Sequence, residues 1–309
     1  MRKIVTLVLL LILAVVAFFK KEDIKALIDT YILQEYKNIT LGEVNNYYRD
    51  YDFNFVQNTD NFSPNNIQDI LNIYYTAINA GKTSFTFYCP KEYENCLFDI
   101  RSLANNQSRL SDINNYVHPF NGFSNIETEY DSLGRVTLSV TKNYSEEDIE
   151  MINAKVDELY PQLVNENLSA RDNIKNIHDY IVNTTKYDSA RTDYGTINYR
   201  SDIAYGPLFE GYGICGGYTD LMQLFLERLN IKSYRISSDN HIWNAIYLDN
   251  TWYHLDVTWD DPVATDGKDY LIYDYFIVDT QQLFNADQGK EQNKHIFDQD
   301  IYSELKGAY

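Results

Sequence analysis

Apolar and polar positions recur along this chain with two different periods, and each change of period marks an element. After Met1-Arg2-Lys3 comes an unbroken apolar run from Ile4 to Phe19, which stops at Lys20-Lys21-Glu22-Asp23 and predicts an amino-terminal apolar helix. From Glu22 to Asn38, Ile24, Leu27, Ile28, Tyr31 and Leu33 return mostly at helical spacing and predict a stalk or first packed helix. Residues 39–65 are rich in Asn and Asp and read as loop. Ile70, Leu71, Tyr74 and Ile78 then share one face of a helix from Ile67 to Ala80, stopped by Gly81. Thr83 to Tyr88 has strand composition, and Leu97 to Asn115 reads as helix. Ile126 to Tyr130 and Val136 to Thr141 alternate at period two around Asp131-Ser132-Leu133-Gly134, a hairpin.

In the second half, Ser145-Glu146-Glu147-Asp148 starts a helix toward Leu163 in the manner of a capping box, with Ile149, Ile152, Val156 and Leu159 as its buried stripe. A domain boundary is placed near it. Ser169-Ala170-Arg171-Asp172 starts the next helix, in which Ile174, Ile177 and Ile181 form the stripe and His178, one position off it, reads as structural. Asn183 to Ile203 has few apolar residues and reads as a long surface loop, a candidate rim or lid. Gly211, Gly213, Gly216 and Gly217 crowd around Cys215, and Leu221, Leu224, Phe225 and Leu229 follow at helical spacing, so Cys215 falls in the first turn of a helix. Strands are expected over Ile231–Ser237, His241–Leu248 and Thr251–Val257, the last two joined at Asp249-Asn250. If Leu248 pairs with Thr251, His241 faces Thr258, and Asp256 lies on the same face two residues away, a diagonal of about 7–8 Å at Cα. His254 shares that face and competes with His241.

Composition narrows the class. A chain of 309 residues with 44% hydrophobic content suits about two domains with real cores. The divisions expected are 1–21 as signal peptide or membrane anchor, 22–160 as an amino-terminal α+β domain, and 161–309 as the domain that carries Cys215. With 26 Lys+Arg against 45 Asp+Glu, the net charge of −19 repels phosphate backbones and excludes nucleic acid as a partner. The 28 tyrosines fit a surface that handles peptide or carbohydrate, or reflect compositional drift toward Asn, Tyr and Ile. Residues 4–19 read as an export segment: as a helix they span about 24 Å, short of the roughly 30 Å hydrocarbon core but rescuable by thinning and by snorkelling of Lys3, Lys20 and Lys21. Either the segment stays as an anchor, or it is removed after Val15-Val16-Ala17; both place the protein outside the cytoplasm, anchored or secreted.

Three cysteines in an exported chain leave one over. Cys89 and Cys96 are close enough to form a disulfide worth about 2.5 kcal/mol on the chain-entropy model, or are two buried thiols. Cys215 is the remaining thiol. At a helix amino terminus, unpaired N–H groups and partial positive charge favour its thiolate, and its own N–H can donate to a developing oxyanion. The glycines beside it would let a substrate backbone come close. A thiol, a histidine and an aspartate so placed are a nucleophile, its base and the group that orients the base.

These residues resemble the transglutaminase-like superfamily of papain-related thiol enzymes: Gly213-Ile214-Cys215-Gly216-Gly217-Tyr218 at the nucleophile, His241-Ile242-Trp243-Asn244 at the base, and Leu255-Asp256-Val257-Thr258-Trp259-Asp260 at the third member. Ile177-His178-Asp179-Tyr180-Ile181 with Tyr187, and Tyr275-Phe276-Ile277-Val278-Asp279, flank the trio, so the resemblance covers about residues 165–300. It implies an α+β fold whose core packs the nucleophile helix on an antiparallel sheet. It also implies Cys215 as nucleophile, His241 as general acid and base, and Asp256 as orienter, with Trp243 and Trp259 packed beside them and Gly216 and Tyr218 in support. A second oxyanion donor has no position in the motif. The expected activity is attack on a peptide or glutamine amide to form a thioester, passed to water by a peptidase or amidase and to an amine by a cross-linker. Cell-wall peptides or surface proteins are the partners that location suggests. The alternative is a catalytically silent binding or scaffold module at the cell surface. Some animal relatives use calcium, but the chain has no Asp-x-Asp-x-Asp-Gly loop, and Cys89 and Cys96 lack the partners of a zinc site, so neither metal nor other cofactor is expected.

Overall fold

The computed structural model describes Lys20 and residues 39–263, 270–289 and 295–307. Apart from Lys20, the expected signal or anchor over 1–21 and the helix over 22–38 lie outside the described residues. Among the described residues no helix is long and apolar enough to cross a membrane.

The first half builds a small helical layer on a three-stranded sheet. Helix α1 (Ile67–Asn79) begins where the Asn66 side chain accepts from the Asp69 N–H, and it buries Ile70, Leu71, Tyr74 and Ile78 as its periodicity requires. Strand β1 (Ser84–Tyr88) follows. The stretch expected as one helix is two, α2 (Cys96–Ala104) and α3 (Gln107–Asn115). The break has a local cause: the Asn106 side chain accepts from the Arg109 N–H and caps a new start. Strands β2 (Phe123–Tyr130) and β3 (Arg135–Lys142) form the expected hairpin, and the sheet runs antiparallel in the order β1-β3-β2. Cys89 and Cys96 are joined by a disulfide, Cα to Cα 5.7 Å, which ties the end of β1 to the start of α2.

Helix α4 (Glu146–Leu163) carries a full capping box between Ser145 and Asp148, and α5 (Ala170–Thr184) is capped by Ser169. Residues 183–203 are less loop-like than their composition implies. They hold β4 (Lys186–Tyr187), which pairs in parallel with β5 (Tyr212–Gly213), and helix α6 (Ser189–Tyr194). Asp188, Ser201 and Ile203 are buried. Polar groups satisfy one another there: Ser201 Oγ donates to Asp188 Oδ2 at 2.7 Å, and Arg191 Nη1 to Asp202 Oδ1 at 2.8 Å. Apolar periodicity cannot register burial achieved this way.

Helix α7 (Cys215–Arg228) lies against an antiparallel sheet of β6 (Ser233–Ser237), β7 (Ile242–Leu248) and β8 (Thr251–Leu255), in that order. Leu248 pairs with Thr251, and the two turn residues Asp249 and Asn250 both have positive φ (51° and 63°), the backbone that a two-residue hairpin with right-handed strand twist requires. The sheet is buried on both faces. Tyr234, Ile236, Trp243, Ala245 and Trp252 belong to a cluster that runs from Phe53 to Leu305 and takes in the β1–β3 sheet. Ile246, Leu248 and Leu255 point the other way, into a cluster with α4, α5 and α7. Helix α8 (Thr280–Ala286) follows, capped by Asp279.

Phe87 is fully buried in the first cluster. Phe87→Ala should cost about 3–5 kcal/mol in urea unfolding, the usual range for deleting a core aromatic. A loss below about 1 kcal/mol would mean that this sheet does not share the cooperative core.

Candidate active site

Cys215 opens α7 as a half-buried free thiol, and no side chain caps that end of the helix. The first-turn N–H groups are therefore left without a capping oxygen. Gly216 and Gly217 serve a different purpose from the one their sequence suggests. A Cβ on Gly216 would stand 2.6 Å from the carbonyl oxygen of Asp202, and one on Gly217 would stand 2.4 Å from that of Ser201. The space is taken by the protein's own 201–202 backbone, which also accepts the Ile214 N–H at 2.8 Å. Tyr218 is buried, and its hydroxyl donates to Asp261 Oδ2 at 2.5 Å, so it braces the start of α7 rather than facing a substrate.

Helix α7 is fastened to β7: Thr219 Oγ1 donates to the Ile242 carbonyl at 3.0 Å, and Asn244 Nδ2 to the Thr219 carbonyl at 3.1 Å. This attachment brings Cys215 beside His241, which sits just before β7. The buried His241 ring lies parallel to Trp243 (centroids 5.6 Å, 16°) and meets Trp259 edge-on at 6.1 Å. Its Nε2 is 2.5 Å from Asp256 Oδ2. With Nε2 taken, Nδ1 is the ring nitrogen left for the thiol. Burial opposes charge on this imidazole, but the Asp256 carboxylate, by charge and hydrogen bond, and the hydrogen bond with Cys215 lift its pKa to about 9.

Asp256 is buried at the end of β8. Its Oδ1 accepts from the N–H groups of Thr258 (2.9 Å) and Trp259 (3.2 Å), and its Oδ2 faces His241 and also Nε2 of His295 (2.8 Å). Burial favours its protonation, but the charges and hydrogen bonds of the two histidines outweigh burial and hold the carboxyl below the usual range. His295 is in turn held by Asp287, whose oxygens lie 2.9 and 3.2 Å from Nδ1, and Tyr275 donates its hydroxyl to Asp287 at 3.1 Å. Neither His295 nor Asp287 belongs to a sequence motif. The one signal for His295 was that the chain has only 5 histidines.

The competing histidine is placed out of contention. His254 Nδ1 accepts from Trp243 Nε1 at 3.0 Å and Nε2 meets Thr280 Oγ1 at 3.1 Å, while burial and the neighbouring His295 charge push its pKa down to about 3. His178 is fully buried and bridges Asp179 and Asp260, each at 3.1 Å, tying α5 to the turn after Asp256. Among the described residues, His241, Asp256 and His295 bring three metal-ligand-type atoms within 4.8 Å. The 2.5 and 2.8 Å contacts within that cluster are shorter than the roughly 3.3 Å between two ligands of one tetrahedral zinc with bonds near 2.0 Å, and they are hydrogen bonds.

Asp256→Asn removes the charge that holds the proton on His241 while nearly preserving shape. The His241 titration should move from about 9 down by at least one unit in an NMR pH series; an unmoved titration would show that Asp256 does not set the protonation of His241.

The sequence pattern described as the transglutaminase-like superfamily matches residues 157–257. That range contains Cys215, His241 and Asp256. No curated protein matches the chain. Among solved structures, the chain is similar to a TGase (18% identity over 44% of this chain and 45% of that one, TM-score 0.34). It is also similar to a candidate cysteine protease from Cytophaga hutchinsonii (16% identity, 43% and 61%, TM-score 0.28). A third is menin, whose structure reveals the binding site for the Mixed Lineage Leukemia protein (18% identity, 42% and 30%, TM-score 0.29). Each of these matches spans less than two thirds of the other chain. The α+β fold has a transglutaminase-like core, and residues 157–257 carry a transglutaminase-like superfamily domain.

Proposed function

We propose that the protein is an extracytoplasmic thiol enzyme that cleaves or transfers the acyl group of peptide or glutamine amides through a thioester on Cys215. The observation that carries this reading is the 2.5 Å contact of His241 with the buried Asp256 carboxylate, on an imidazole whose other face is turned to a free thiol at a helix start. The apolar run over residues 4–19 and the Cys89–Cys96 disulfide support an oxidising compartment, with the run as anchor or export signal. Cell-wall peptides or surface proteins are the substrates such a location offers.

The proposed chemistry follows from the charge states. Below about pH 9 His241 is the cationic partner that a reacting Cys215 thiolate requires. The thiolate attacks the amide carbonyl carbon, and the Cys215 N–H can donate to the oxygen as it becomes negative. Collapse of the tetrahedral intermediate expels the amine, which takes its proton from the His241 imidazolium and leaves a thioester on Cys215. The neutral imidazole then removes a proton from water or from a second amine as that nucleophile attacks the thioester, and the acid or new amide departs. Asp256 keeps the ring in place and stabilises its cationic form throughout. A silent scaffold would have no use for a thiol, an imidazole and a buried carboxylate in this order.

Iodoacetamide should alkylate Cys215 rapidly, and His241→Ala should slow this at neutral pH by about 10²-fold or more. An inert thiol in the folded protein would refute the enzyme reading. A glutamine peptide with and without a primary amine, compared with Cys215→Ala, should release ammonia and yield either free acid or the amine adduct; no thiol-dependent product from this or a peptide-bond substrate would count against it. As pH rises through about 9, His241 loses the proton that the leaving amine needs, so turnover should decline there.

A further inference from the structure

The ring of His295 is fully buried, and both of its nitrogens face carboxylate oxygens: Nε2 is 2.8 Å from Asp256, and Nδ1 is 2.9 and 3.2 Å from the two oxygens of Asp287. A neutral imidazole has one N–H and one lone pair, so between two ionised carboxylates it would turn a lone pair toward an anionic oxygen on one side. The imidazolium donates on both sides. We propose that His295 is an imidazolium locked between Asp256 and Asp287, a positioning residue that aims the Asp256 carboxylate at His241 and limits the negative charge His241 experiences. This rests on the reading of Cys215, His241 and Asp256 as a thiol triad.

The surroundings of His295 fit a fixed cation. Tyr275 stacks on its ring (4.8 Å, 27°) with its hydroxyl on Asp287, and Trp243 and Trp259 close two further sides at 4.9 and 5.1 Å. His241 meets it edge-on at 5.2 Å. His254 also lies within its field and is held neutral partly by it. Among the described residues, the titratable groups against His295 are thus Asp256, Asp287, His241, His254 and Tyr275. Two carboxylates against His295 and protonated His241 leave no net charge, the condition under which ionised groups are tolerated away from water. Burial disfavours the charge on His295, and the hydrogen bonds and charges of the two aspartates raise its pKa against that burial.

The role differs from simple packing in its sign. Once the His295 charge is gone, Asp256 acts on His241 unopposed, so the imidazolium of His241 becomes harder to deprotonate. His295→Gln, which can still donate to Asp256 but carries no charge, should therefore raise the pH at which His241 titrates in an NMR pH series above about 9. The shift expected is about 1–3 pH units, as for one charge within about 4–6 Å. An unchanged or lowered His241 titration overturns the proposal. In the wild-type protein, ring ¹⁵N NMR assigned with this variant should show two N–H groups on His295 across the neutral range; a single N–H, or a titration within that range, overturns it whether or not the variant folds. A wild-type thiol that iodoacetamide does not alkylate rapidly would sink the triad reading instead, and the ring signature would still decide the charge of His295.

Discussion

A carboxylate sealed away from water organises this molecule. An isolated ionised carboxyl in the interior would cost several kcal/mol, and Asp256 avoids that cost because every direction around it is filled by a donor. Two are backbone N–H groups of the turn that follows β8, one is the imidazole before β7, and one is His295, which follows α8. The four donors come from three separate parts of the chain. Their convergence constrains the hairpin, the turn after it and the carboxyl-terminal segment together, so local geometry at Asp256 depends on packing 39 residues downstream in sequence, at His295.

The sheet that presents these groups is buried on both faces, and its alternation decides what each residue meets. Odd positions of β7 turn Trp243 and Ala245 into the cluster shared with the amino-terminal sheet, while Ile246 and Leu248 meet the cluster of α4, α5 and α7. Helix α4, which stands where the sequence suggested a boundary, packs into the second of these clusters. Trp243 links the two roles: it lies along the His241 ring and donates to His254, and so occupies the histidine that might otherwise compete for Asp256. On the other side, the segment around Ser201 covers the start of α7 so closely that only glycine fits at 216 and 217. Through those glycines and the Ile214 N–H bond to the Ser201 carbonyl, the helix start is held against a stretch that composition alone had suggested was loose.

Legibility differed by kind of interaction. The two-residue turn at Asp249-Asn250 between Leu248 and Thr251 determined the strand register, because so short a loop decides which residues of the two strands stand opposite each other. The caps at Ser145 and Ser169 were equally local, set by side chains within one turn of the backbone they satisfy, and the helix start at Cys215 was marked by its glycines and the apolar spacing after it. The hairpin parity that follows from this register placed His241 and Asp256 together.

By itself, then, the sequence determined which residues would form the hairpin and which would begin the helix that starts at Cys215, and it left Cys89 and Cys96 as a disulfide or two buried thiols until the structure joined them. Tertiary structure alone decided that His254 is neutral and engaged elsewhere, that residues 183–203 are partly buried, that Gly216 and Gly217 make room for protein backbone, and that His295 and Asp287 complete the surroundings of Asp256. The reason is physical. Apolar burial on helices and strands repeats with the backbone and leaves a period to read, whereas hydrogen bonds between polar groups distant in sequence obey no period and exist only once the chain has closed around them.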